Sequence, residues 1–156
     1  AEGRMVLADT LTFATREKPA LVIDYATLTG AVINALTTRY SGVFTNRTDW
    51  HPRLKRTGRN CGERVWPFPI GKEFLEDLKS DTADIQQCSV KGAADHILAG
   101  SFLAEFIEHD TPWVHVDLAA SNHKGGLAHV PTEITGFGVR YTLSLLLDEQ
   151  ILQAES

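Results

Sequence analysis

Cysteine is scarce in this sequence. Cys61 and Cys88 are the two cysteines among 156 residues, and they form no CxxC pair. Two cysteines so spaced exclude the kind of disulfide framework that holds small secreted domains together. We therefore expect a reducing, cytoplasmic location.

Long hydrophobic runs and excess positive charge are also missing. No apolar stretch approaches the roughly 20 residues that span a bilayer, and the first residues are too polar for a signal peptide. No contact with a membrane is therefore expected. The net charge is −5, which argues against nucleic acid as the main ligand because phosphate binding requires a cationic face.

Several motifs that mark enzyme classes are absent as well. The sequence contains no GxGxxG or P-loop for nucleotides, no GxSxG for serine hydrolases and no HExxH among its six histidines. His115 alternates with two valines in a strand-like segment, so we interpret it as a hydrogen-bonded core residue. His123 and His129 could be ligands, but their spacing matches no zinc pattern.

What the sequence does contain is a regular alternation of helical and strand-like segments. Its length suits one domain, and hydrophobic residues make up 43% of it, enough for an ordinary core. The alternation predicts an α/β fold of three layers, with helices on both faces of the sheet. The pattern predicts helices at 5–16, 30–39, 72–80, 96–108 and 139–151, a helix or loop at 49–60, strands at 21–23, 40–46, 66–70 and 113–119, a strand followed by a loop at 83–95, and a long loop at 122–138.

Two further signals concern the ends of the predicted strands. Thr29 is the expected N-cap of the helix that begins at Gly30. Ligands of open α/β sheets bind beyond the carboxyl ends of the strands. This rule directs attention to residues 25–30, to residues 118–123 and to the surroundings of Glu2.

Glu2 and Arg4 form the first candidate site. A carboxylate can bind a metal ion and a guanidinium can hold an anion, and the two side chains could meet in a turn that enters a helix. The alternative is a helix N-terminus whose acidic residue is favoured by the helix dipole. Asp24 and Asp117, at strand ends, also have two interpretations, as ligands or as structural carboxylates that bind loop amides.

One basic cluster is formed by Arg53, Lys55, Arg56, Arg59 and Arg64. It could contact phosphate or an acidic partner, or it could be a solvated helix face. Aromatic residues do not alternate with it, so the pattern gives no support for binding to single-stranded nucleic acid.

Taken in order along the chain, several stretches resemble the leucyl (cytosol) aminopeptidases, the M17 metallopeptidases. AEGRMVLADTLTFA is similar to the family signature, and LVIDYATLTGA resembles its next motif. GVFTN, GERVWPFPI, SDTADIQQ, AGSFLAEFI, WVHVDLA and ITGFGVRYTLSLL follow in the family's order. The resemblance covers nearly the full length and identifies residues 1–156 as the C-terminal portion of an M17 catalytic domain.

The resemblance implies a metal-dependent aminopeptidase that releases N-terminal amino acids from peptides. Members use two divalent ions, commonly Mn²⁺ or Zn²⁺ and also Mg²⁺, to activate a water molecule. Glu2 matches a metal ligand, and Arg4 matches the catalytic arginine, which holds a bicarbonate. Four positions match residues that line the substrate pocket: Thr27, Leu28, Gly30 and Ala119. The family also implies a cytoplasmic homohexamer.

The chain departs from the family pattern in two ways. The other metal ligands, a lysine and three aspartates, and a second catalytic lysine precede the position of Glu2 in the family. We therefore expect that this chain, alone, is inactive and depends on an upstream portion of the same protein. Asp95 and His96 stand in ADHILAG where many members have Ala-Gly-Ala-Ile-Thr-Ala-Ala, and Ala120 stands where many have glycine. The alternative is a non-catalytic hexameric or DNA-binding scaffold of the same fold.

Overall fold

A computed structural model describes residues 1–90 and 92–153 of the chain. Within these ranges the strands are β1 (Val22–Ala26), β2 (Ser41–Thr45), β3 (Val65–Pro67) and β4 (Trp113–Asp117). The α-helices are α1 (Glu2–Arg16), α2 (Gly30–Leu36), α3 (His51–Cys61), α4 (Asp95–Ala104) and α5 (Val139–Leu143). Thr37–Arg39, Thr48–Trp50, Lys72–Leu78 and Ile151–Gln153 form 3-10 helices, and Ser144–Asp148 forms a π-helical turn.

The four strands form one mixed sheet in the order β1-β4-β2-β3. β4 pairs in parallel with β1 and antiparallel with β2, while β3 pairs in parallel with β2. Ala26 and Gly42 both lie opposite Asp117. The carboxyl ends of β1 and β4 therefore meet at one edge of the sheet, where β2 begins.

The side chains of β4 alternate between two hydrophobic clusters, one on each face of the sheet. Val114 and Val116 pack in a cluster with Leu54 of α3 and Tyr141 of α5. Trp113 packs in the other cluster, with residues of α1 and α4. This alternation follows from the two-residue period of a strand. It confirms the predicted α/β architecture with helices on both faces.

Local signals in the first half of the chain were good guides to the structure. α1 begins at Glu2, three residues before the predicted start. The N-cap prediction is confirmed, since the Thr29 hydroxyl accepts a hydrogen bond of 3.3 Å from the Val32 amide. Residues 49–60, which fitted a helix or a loop, form a 3-10 turn followed by α3 with Pro52 in its first turn, a position that proline tolerates.

The strand predicted at the start of 83–95 is wrong. Residues 83–90 form no strand; Lys91, in the loop part of that prediction, lies outside the described residues. Backbone groups of this segment have other partners, as buried polar groups require. The Gln86 amide donates to the Leu78 carbonyl, at 2.9 Å, and the Gln87 carbonyl accepts from Arg4.

Two predicted helices have a different winding. Residues Lys72–Leu78 form a 3-10 helix, which packs Leu78 fully into the core. The last predicted helix is α only as far as Leu143 and then widens into the π-helical turn. There the Glu149 amide donates to the Ser144 carbonyl, five residues earlier, at 3.0 Å.

No helix in the described part of the chain combines the length and the apolar content that crossing a bilayer requires.

A buried carboxylate joins α5 to the segment after α3. Glu63 is 3% exposed, and its Oε2 accepts hydrogen bonds from the amides of Gly138, at 2.9 Å, and Tyr141, at 2.8 Å. Arg140 pairs with Oε1 at 3.2 Å. Glu63 thus satisfies two amides at the start of α5 that have no partner within the helix.

We expect Glu63→Ala to lower the free energy of unfolding by about 3 kcal/mol, because two buried amides lose their acceptor and the Arg140 guanidinium loses its ion-pair partner. Chemical denaturation measures the change. The matched control is Glu76→Ala, which removes an exposed ion pair with Lys79 and should cost less than about 1 kcal/mol. Equal losses in the two variants would contradict the role of Glu63.

Candidate functional site

The turn between β1 and α2 is held by the side chain of Asp117. Oδ1 of Asp117 accepts hydrogen bonds from the amides of Leu28, at 2.9 Å, and Thr29, at 3.2 Å. Oδ2 accepts from the Thr29 hydroxyl at 2.7 Å. Asp117 is 1% exposed, so its carboxylate is committed to this turn. These contacts support its interpretation as a structural residue.

Asp24 is similarly committed within the sheet. Its Oδ2 accepts a hydrogen bond of 2.7 Å from the indole N–H of Trp113, and its Oδ1 lies 2.5 Å from Nδ1 of His115. His115 is fully buried. The prediction of a hydrogen-bonded core histidine is confirmed, and Asp24 is its partner.

Ala119 lies at the same edge of the sheet, directly beyond β4. Its amide and that of Ala120 both donate to the hydroxyl of Ser41, each at 3.2 Å. The Thr135 hydroxyl donates to the Ala120 carbonyl at 2.7 Å. Both alanines are buried, whereas Thr27 is exposed. At this edge of the sheet, two buried alanines, Ala119 and Ala120, are thus hydrogen-bonded through their backbones, while Thr27 in the neighbouring turn is exposed.

Arg4 lies in the first turn of α1 and is 3% exposed. Its Nη1 and Nη2 donate to the two carboxylate oxygens of Asp95, at 3.2 and 3.0 Å. Nη1 also donates to the Gln87 carbonyl at 2.5 Å. Arg4 therefore links α1 to the start of α4 through a planar, two-pronged contact of the kind that arginine forms with carboxylates.

Glu2 faces the other way. Its side chain is fully exposed and lies 3.5 Å from the amino group of Ala1. The pKa of Glu2 is lowered, first by a hydrogen bond to its own backbone amide and then by that amino group. Residues two positions apart in an α-helix, such as Glu2 and Arg4, are separated by about 200° around the helix axis. The possibility that Glu2 and Arg4 meet is therefore wrong, because α1 includes both and points them to opposite sides.

His96 is a buried histidine next to Asp95 at the start of α4. It is 9% exposed, and its ring meets that of Phe68 edge-on, with centroids 4.5 Å apart. Burial lowers the pKa of His96, and the charges of Asp117 and Asp95 raise it to a smaller extent.

This chain matches the model of the catalytic domain of the cytosol aminopeptidase family over residues 1–143. The chain belongs to that family. A "probable cytosol aminopeptidase" of Syntrophobacter fumaroxidans is 44% identical over 148 residues, which are 94% of this chain and 29% of that protein. A protein of the same name from Chlorobaculum parvum is also 44% identical, over 149 residues, with the same shares.

A solved structure agrees with these matches. The chain superposes on a mutant of tomato leucine aminopeptidase with a TM-score of 0.84 and 31% identity, covering 95% of this chain and 28% of that one. This chain thus spans less than a third of the length of the relatives it matches.

The residues of this family member do not by themselves build a metal centre. No group of three or more His, Cys, Asp or Glu side chains close enough to hold an ion occurs among residues 1–90 and 92–153. The Glu2 carboxylate is fully exposed, and Nδ1 of His123 lies 2.7 Å from the Thr38 hydroxyl. A single carboxylate holds a divalent ion weakly, since affinity rises with ligand number and charge.

Four members of the basic cluster lie on α3, and Arg64 follows that helix. The cluster borders a cavity of about 350 Å³ whose lining includes Lys55, Arg56, Arg59 and Arg64. The Lys55 ammonium sits 3.8 Å from the centre of the Trp66 ring, and Arg56 pairs with Glu149 at 2.5 Å. These contacts fit a solvated helix face.

Sequence reasoning missed the partners that hold the candidate residues. Ser41, Gln87 and Asp95 contact residues 78 to 91 positions away in the chain. Asp95 could be seen in the sequence as an acidic residue directly before the helix predicted at 96–108. Its pairing with Arg4, however, depends on how α1 packs against α4.

The burial of His96 predicts a pH-dependent stability. Because its pKa is lowered in the folded state, the unfolded chain binds the proton more tightly, and stability should fall as the pH drops below about 6.5. We expect His96→Asn to flatten this dependence between about pH 7 and pH 5, measured by urea unfolding. A wild-type slope in His96→Asn would refute the assignment.

Proposed function

We propose that the protein containing this chain is a metal-dependent aminopeptidase that releases N-terminal amino acids from peptides. The observation that carries this proposal is the match of residues 1–143 to the catalytic domain of the cytosol aminopeptidase family, and the buried guanidinium of Arg4 is the proposed catalytic group. Because the chain spans less than a third of its relatives, the activity is proposed for the whole protein.

Glu2 is proposed as the metal ligand that this chain contributes. Because its carboxylate is fully exposed, Glu2 could bind a metal ion together with ligands from elsewhere in the protein. Two divalent ions, Mn²⁺ or Zn²⁺ or alternatively Mg²⁺, would supply Lewis acidity and an activated water when bound. The remaining ligands, a lysine and three aspartates, are proposed to lie outside residues 1–156, and the chain alone is proposed to be inactive.

The substrate's first residue is proposed to bind over the turn and the small residues beyond β4. Thr27 and Gly30 are exposed, and a Cβ added at Gly30 would meet nothing within 4 Å. Leu28 is partly buried against the α1–α4 cluster, and Ala119 is a buried residue whose side chain is a single methyl group. Apolar surfaces with a few oriented backbone groups are typical of ligand sites.

Three further features are proposed from the family. The whole protein would be a homohexamer in the cytoplasm, and light scattering on the purified protein measures its size. Peptides would be its substrates.

Nucleic acid is not favoured as a ligand, because Lys55 and Arg56 of the basic cluster are engaged with Trp66 and Glu149. If the whole protein lacks activity, the alternative function is that of a non-catalytic scaffold.

Kinetics on the whole protein test the roles of Glu2 and Arg4. With Mn²⁺ and leucine p-nitroanilide, we expect Glu2→Gln and Arg4→Ala each to lower kcat/KM by about 100-fold or more, the scale of losing a metal ligand or an electrostatic donor. Asp9→Asn, which neutralises another exposed carboxylate on α1, should retain wild-type kinetics. Full activity in both site variants would contradict the assignment.

Metal analysis separates the whole protein from this chain. After dialysis against Mn²⁺ or Zn²⁺, we expect the whole protein to retain two ions and the 156-residue chain to retain none, because one carboxylate is too few ligands. Elemental analysis of both samples gives the ratio. Two ions held by the chain alone would refute its proposed dependence on the rest of the protein.

A further inference from the structure

The contact between Arg4 and Asp95 carries an inference beyond the family assignment. Arg4 is 3% exposed and Asp95 is 28% exposed. The two terminal nitrogens of the guanidinium face the two oxygens of the carboxylate, at 3.2 and 3.0 Å. The Gln87 carbonyl accepts a hydrogen bond from another N–H of Nη1. Both terminal nitrogens are therefore used by groups of this chain, while the buried Nε has no hydrogen-bond partner among the described residues.

A buried guanidinium needs a negative partner. Arginine stays protonated, and an isolated charge in a protein interior is costly unless it is paired and hydrogen-bonded. The partner can come from the chain or from a dissolved anion. In this structure Asp95 is the negative partner, in the bidentate geometry that a small carboxylate or carbonate anion would also adopt.

The bicarbonate expected at Arg4 does not fit this arrangement. An anion bound at the terminal nitrogens would have to displace Asp95, and it would meet the negative charge that Asp95 already carries. Where this chain has Asp95, the related motif Ala-Gly-Ala-Ile has a glycine, which has no side chain to offer. The carboxylate at Arg4 is thus a property of this chain's own sequence.

We propose that Asp95 is a positioning residue that serves as the built-in counter-ion of Arg4, in place of a dissolved bicarbonate. It neutralises the guanidinium and holds its plane in one orientation. The structural part of this inference needs no assumption about activity, whereas its consequence for catalysis rests on the proposed aminopeptidase function.

Anion binding by the whole protein tests the structural part. We would titrate the protein with ¹³C-labelled bicarbonate and with formate, and follow binding by NMR and calorimetry. Wild type should show no saturable site that depends on Arg4. Asp95→Gly removes the carboxylate and should create such a site, and adding Arg4→Ala to Asp95→Gly should abolish it. Asp95→Ser, with a residue well suited to a helix N-terminus, gives the same test if the glycine variant does not fold.

Kinetics test the consequence for catalysis. Added bicarbonate should leave the kcat of wild type unchanged. Asp95→Gly should lose roughly 10- to 100-fold in kcat, the scale of a misplaced catalytic group, with a smaller change in KM. Millimolar bicarbonate or formate should restore at least part of that loss. A role in stability alone would not give this rescue by a small anion.

The matched control is Asp110→Asn. Asp110 forms a similar two-pronged contact with Arg47 on the exposed surface, at 3.0 and 3.2 Å, and its substitution should change neither anion binding nor kcat. The proposal is overturned if wild type binds bicarbonate through Arg4, or if folded Asp95→Gly neither binds nor responds to anions. If wild type has no aminopeptidase activity, the proposed function fails, and the anion titrations still decide the role of Asp95.

Discussion

The buried carboxylate of Asp117 organises the edge of the sheet on which the candidate site lies. It accepts three hydrogen bonds from the turn that follows β1, and it stands at the end of the fully buried strand β4. A buried carboxylate without these donors would be strongly unfavourable. The turn, the end of β4 and the start of α2 therefore form one unit, and Ala119 and Leu28 take their positions from it.

Arg4 joins α1 to α4 in a second unit. α1 packs against α4 through the cluster that includes Leu11 and Phe102, and the guanidinium closes that contact at its polar end. The charges of Asp95 and Asp117 both raise the pKa of His96, against the larger effect of burial. Glu2, on the opposite side of α1, is fully exposed.

Much of the fold could be predicted because its signals are local. The alternation of segments indicated an α/β sheet with two covered faces, and Thr29 marked the start of α2. The strand predicted from residue 83 failed because a strand needs a neighbour to pair with, and this segment instead gives a carbonyl to Arg4. The π-helical turn after Leu143 also had no local signal.

The sequence alone indicated the family and the candidate residues, since short motifs in the family's order are carried by the chain itself. The same resemblance predicts that Asp95 stands where many members have glycine. Only the tertiary structure decided that Glu2 points outward, that Arg4 is buried and that Asp95 is its partner. The reason is physical: a pair separated by 91 positions forms through the packing of two helices, and the preference of either residue for local structure contains no record of it.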